Sequence, residues 1–108
     1  MEWSATGPGR LFVRPSVFIH LVLFGIRKKD VAQYKADCKI WEKEARRHTG
    51  FLGYQTLLRT HQPSQYASFY QWKNEKYHKR FMQKHHDRLV SLSRCPVDVI
   101  GYYNFKTL

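Results

Sequence analysis

Two stretches of this chain carry apolar residues at helical spacing, and each lies between short runs of strand character; that alternation constrains the fold more than any other feature. Residues 17–24 read VFIHLVLF, a short, almost wholly apolar run rich in β-branched and aromatic side chains, as expected of a strand covered on both faces. Asp30 can cap a helix beginning at Val31, along which Val31, Tyr34, Cys38, Trp41 and Ala45 recur at steps of three and four. Basic residues gather in its last turn, where they complement the helix dipole, and Gly50 ends it. Residues 51–59, FLGYQTLLR, form a second strand, with Leu52, Tyr54, Thr56 and Leu58 on one face and Phe51, Gly53, Gln55, Leu57 and Arg59 on the other. A polar loop over 60–65 containing Pro63 leads into a third strand, 66–72, YASFYQW. Asn74 caps a second helix whose apolar stripe is Tyr77, Phe81, His85 and Leu89, widened by Met82, Val90 and Leu92. Pro96 stops that helix region, and residues 97–105 make a fourth strand in which Val97, Val99, Gly101, Tyr103 and Phe105 alternate with Asp98, Ile100, Tyr102 and Asn104.

The element order is therefore β-α-β-β-α-β. It predicts an α+β domain of the ferredoxin-like kind, a four-stranded antiparallel sheet with both helices on one face. The other face would show apolar side chains from every strand, and no third helix is available to cover it. A second copy of the same sheet is the simplest cover, so the expected assembly is a homodimer closing a dimeric α+β barrel. At 108 residues the chain is the size of one domain, and a domain this small gains from pairing. The domain is expected over 17–108, behind a flexible leader over 1–16 marked by Gly7, Pro8, Gly9 and Pro15.

Charge narrows the partners rather than the fold. Lys and Arg number 19 against 8 Asp and Glu, a net +11 that favours anionic partners but also suits a plain solvated surface. Cys38 and Cys95 form no CxxC pair and no zinc-finger spacing, so a reducing, cytoplasmic setting is the expectation. No run reaches the roughly 20 apolar residues that a membrane span needs, so no membrane partner is expected.

The residues able to carry chemistry are histidines and aromatics. His20 shares its strand face with Phe18, Val22 and Phe24, where it is either a packed core residue or a base. In the second case partial burial would keep the imidazole neutral and able to accept a proton. His85 and His86 point about 100° apart on a helix, so only one of them can enter a given pocket. Tyr54, Tyr70, Trp72 and Tyr103 can form a flat slot for a planar aromatic ligand, or can be ordinary core and interface packing. Arg59 ends its strand and could pair with an anionic ligand group. No HExxH or His-x3-His pattern, phosphate loop or nucleophile elbow is present, and the spacing predicts no dedicated metal site.

The segment Thr49-Gly-Phe-Leu-Gly-Tyr-Gln between helix and strand, Trp72 at the end of the third strand, and the aromatic, His-bearing helix after it resemble the antibiotic biosynthesis monooxygenase family. The resemblance implies a small dimeric α+β barrel with a pocket between helices and sheet. Trp72 matches that family's tryptophan and His86 its second helix histidine, while Phe81 stands where many members have the first. By resemblance, some members oxidise polycyclic phenols or quinols with oxygen and no metal or flavin. That implies catalytic roles for His20, Trp72 and His86, with Tyr54, Arg59, Tyr70, Phe81, His85 and Tyr103 around a small planar aromatic ligand, and no cofactor. Other members bind or degrade heme. Their asparagine, tryptophan and histidine positions correspond here to His20, Phe81 and Ser91, so an orthodox heme degrader is disfavoured, although His85 or His86 could still ligate heme.

A different class, the RNA-recognition domain, uses the same element order and would suit a net charge of +11. Its basic-glycine-aromatic signature is absent from YASFYQW, so nucleic acid is not the expected partner. A non-enzymatic dimer is the third reading, because fold does not dictate function.

Overall fold

The computed structural model describes residues 16–108, so the expected leader, apart from Ser16, lies outside the described residues. The elements are β1 (Phe18–Gly25), α1 (Val31–Arg46), β2 (Phe51–Leu58), β3 (Gln65–Trp72), α2 (Glu75–Leu92) and β4 (Asp98–Lys106). The strands form one antiparallel sheet in the order β2-β3-β1-β4, and both helices pack on one of its faces. This is the ferredoxin-like arrangement that the element order predicts. No helix among the described residues is long and apolar enough to cross a membrane.

The caps differ in one respect from expectation. Asn74 caps α2 by accepting from Tyr77 N–H at 3.3 Å. Asp30 makes no side-chain cap on α1, because a 3₁₀ turn at Lys28–Asp30 precedes the helix. Its carboxylate instead accepts from Arg27 Nε at 3.1 Å. Gly50 adopts φ 92°, and a Cβ there would lie 2.2 Å from Cγ of Tyr77, so the turn that starts β2 needs glycine on both counts.

Two bulges reset the strand faces. In β2 the pairing slips between Phe51 and Gly53, so Phe51 opposite Trp72 and Tyr54 opposite Tyr70 share the helix-covered face. Strict alternation had separated them. At β4 the register shifts beside Leu23 and Phe24: Val99 lies opposite Phe24 and Tyr102 opposite Val22, which brings Val99 and Tyr102 onto the helix side. Tyr103 and Phe105 point to the open face with Ile19, Leu21 and Phe69, and Tyr103 is 44% exposed there. The core proper lies under the helices, where Trp72, Phe81, Leu89 and Ala45 are buried together with Phe18 and Tyr70.

Candidate functional site

A cavity of about 430 Å³ separates the helices from the sheet. Its walls are mostly apolar, and that follows from the sequence: it takes one row from each element. On α2 the row is His78, Met82, His86 and Val90, at steps of four. On α1 it is Tyr34, Cys38 and Trp41, and on the sheet it includes His20, Tyr70, Trp72 and Tyr102. The end of the cavity is closed by the segment after α2. Asp37 reaches across to accept from Arg94 N–H at 2.9 Å and Cys95 N–H at 2.7 Å, and Trp41 Nε1 donates to Ser93 Oγ at 2.9 Å.

Two imidazoles meet in this cavity. The rings of His20 and His78 are 4.3 Å apart between centroids, and the residues are only 7% and 9% exposed. His20 Nδ1 lies 2.7 Å from Asn104 Oδ1. With that carbonyl as acceptor, Nδ1 carries the proton and Nε2 keeps its lone pair. Among the described residues, no carboxylate is paired with either ring. Burial lowers the His20 pKa, against a smaller opposing effect of Asn104. Burial and the neighbouring His20 lower His78 further, to about 4. Both shifts favour the neutral imidazole.

The indole of Trp72 is completely buried, and its Nε1 has no hydrogen-bond partner among the described residues. A buried donor left without an acceptor costs about 1–3 kcal/mol. Tyrosines complete the polar inventory: Tyr34 and Tyr54 both meet Ser68 Oγ, at 2.8 and 3.1 Å. Burial raises the pKa of Tyr34, Tyr54 and Tyr70, which keeps these phenols protonated.

Of the residues singled out from sequence, His20, Tyr70, Trp72, Phe81 and His86 line the cavity together. Tyr54 stands behind them, its ring 4.8 Å from that of Tyr70. Arg59 is outside, donating to Gln65 Oε1 at 2.7 Å across the hairpin. Tyr103 is on the far face of the sheet because of the β4 bulge. His85 is outside as well, turned toward α1 and the Glu44 carboxylate. Of the two adjacent helix histidines, therefore, the cavity takes His86, whose ring meets Trp41 edge-on at 5.9 Å. Sequence reasoning missed His78, Tyr34, Tyr102 and Asn104. The row of fours through His86 was the signal for His78; nothing local marked the others.

Heme does not match this chamber well. None of the residues lining it is Lys or Arg, so its wall offers no cation for the two propionates.

The sequence matches no family model, and no curated protein matches it. Solved structures do match in fold. SnoaB, a cofactor-independent oxygenase from Streptomyces nogalater, is 13% identical over 85% of this chain and 92% of its own, with a TM-score of 0.69. A conserved protein from Bacteroides thetaiotaomicron is 12% identical over 87% and 100%, with a TM-score of 0.71. A Nitrosomonas europaea protein provisionally described as an antibiotic biosynthesis monooxygenase is 11% identical over 90% and 93%, with a TM-score of 0.63. The chain shares the α+β fold of these proteins, and at 11–13% identity the likeness is one of fold.

Proposed function

We propose that this protein is a monooxygenase that acts on a small planar phenol or quinol without metal or flavin. The observation that carries this reading is a largely apolar cavity lined by His20, whose Nδ1 meets Asn104, by His78 packed against it, and by Trp72. An apolar slot bounded by Tyr70, Trp72, Phe81 and Tyr102 takes up a flat ring system. His20 Nε2 accepts the phenolic proton, and the resulting phenolate is a far better electron donor to dioxygen than the phenol. Trp72 Nε1–H supplies a hydrogen bond to a ring oxygen, where charge builds up. In the balanced reaction a ring CH2 becomes C=O, one oxygen atom of O2 enters the substrate and the other leaves as water. All four electrons come from the substrate. The cofactor-independent chemistry named for SnoaB, which shares the fold, supports this reading.

A second copy of the chain is proposed to cover the open sheet face, where Leu21, Phe69, Tyr103 and Phe105 would otherwise meet water. β1 and β3 show no Lys or Arg on that face and only Phe69 as an aromatic, a poor stacking platform for RNA.

The test is oxygen uptake with a dihydroxyanthrone as probe, after saturable binding has been shown without oxygen. Wild-type protein should consume one O2 per quinone formed, well above the buffer rate. His20→Gln should lose about 10²–10⁴-fold in rate, the usual share of a positioned base. Trp72→Phe should stay folded at some cost in stability and lose rate. No saturable binding, or uptake equal to buffer alone, would sink the proposal.

A further inference from the structure

A second group of titratable side chains lies outside the cavity, where the end of α1 meets α2. Glu44 and His48 come from the α1 side, His85 from α2. Their free ligand atoms converge: Glu44 Oε2 is 3.4 Å from His48 Nε2 and 3.9 Å from His85 Nε2, and the three atoms all lie within 4.8 Å of one another. We propose that Glu44, His48 and His85 bind a divalent transition-metal ion of the zinc type, which ties the end of α1 to α2. The inference does not depend on the cavity's proposed chemistry.

The geometry is close to what such an ion needs. Bonds of 2.0–2.1 Å in a tetrahedral site place ligand atoms about 3.3–3.4 Å apart. The Glu44–His48 pair already meets that spacing, and the Glu44–His85 pair exceeds it by about half an ångström. His85 Nε2 is buried and has no hydrogen-bond partner among the described residues, where buried polar atoms are ordinarily paired. The far oxygen of Glu44 is already held: Arg88 Nη2 donates to Oε1 at 2.8 Å, which leaves Oε2 for the ion. Arg88 also lies 2.9 Å from His85 Nδ1, a contact it would release when Nδ1 takes the proton and Nε2 turns to the metal.

Two imidazoles and one carboxylate suit zinc, cobalt or nickel rather than magnesium or calcium, which prefer oxygen ligands. Three protein ligands leave a fourth position for water. Phe81 separates this site from the cavity, its ring 5.4 Å from His48, 5.6 Å from His85 and 5.3 Å from Trp72. A bound ion would brace that wall from behind.

The test uses the full chain without an affinity tag, titrated with Co²⁺ alone and followed by its visible d–d absorption. The expected result is a tetrahedral band that saturates at one equivalent and is bleached by Zn²⁺. His85→Ala should abolish the band. Glu44→Gln, which keeps the side chain's shape, should weaken Co²⁺ binding at least about tenfold, on the scale of losses already seen for supporting residues. Zn²⁺ should raise the thermal midpoint of the wild type and leave that of His85→Ala unchanged, while Mg²⁺ shifts neither. Absence of a band at one equivalent would overturn the site. So would a band of unchanged strength in folded Glu44→Gln or His85→Ala protein.

Discussion

Two pairs of histidines stand back to back in this molecule, and they differ in one thing. His20 and His78 lie 4.3 Å apart inside the cavity, and among the described residues no carboxylate pairs with them. His48 and His85 lie 4.5 Å apart on the other side of Phe81, with Glu44 between them and Arg88 behind it. Burial, helped at His78 by the neighbouring ring, favours neutral imidazoles in the first pair, suited to a neutral, hydrogen-bonding ligand. Adding one fixed anion converts the same residue type into a set of donors for a cation. The lesson is that an imidazole's role is set by the counter-charge it is buried with, more than by its spacing in sequence.

The comparison can be broken at the wall the two pairs share. Phe81→Ala should destabilise the fold by about 3–5 kcal/mol, because a fully buried ring is lost from between both pairs. A denaturant midpoint that implies under about 1 kcal/mol would mean the two regions do not depend on a common wall. The pairs should also part company in acid. His78 has a folded pKa of about 4 against an ordinary 6.5, so the unfolded chain takes up the proton first. Its contribution to stability is whole above pH 6.5 and is lost as pH falls from 6.5 toward 4. Urea midpoints measured down that range should fall for wild type and fall less for His78→Phe; parallel curves would show that His78 is not the source.

A smaller effect sharpens the cavity side. Asn104→Leu should cost about 1 kcal/mol and release the His20 tautomer, which imidazole ¹⁵N shifts report directly. Unchanged shifts would show that Asn104 does not set that ring. Smallest of all, Arg59→Ala should change stability by less than about 0.5 kcal/mol and leave probe binding alone, since its guanidinium serves the hairpin rather than the cavity. A marked loss of probe affinity in that variant would return Arg59 to the site.

Much of this was legible in the chain. Element order, the single sheet with helices on one face, the Asn74 cap and the glycine at position 50 follow from periodicity and local backbone chemistry, which act over a few residues. Trp72, Tyr70 and His20 were readable as one group because strand parity places them on one face. The same parity failed for Tyr103 and Phe51. A single inserted residue at each bulge reverses a strand's faces, and the sequence carries no mark of where the insertion falls. His85 also misled by its stripe: it is apolar-facing, but toward α1 and not toward the cavity.

The sequence by itself determined which segments are strands and helices and which of their faces are apolar. Only the tertiary structure decided that His78 meets His20, that Asn104 orients it, that Trp72 Nε1 lacks an acceptor, and that Glu44, His48 and His85 converge. The physical reason is range. Secondary structure answers to neighbours along the chain, whereas proton states and ligand sets answer to charges and dipoles a few ångströms away that the fold brings in from distant segments.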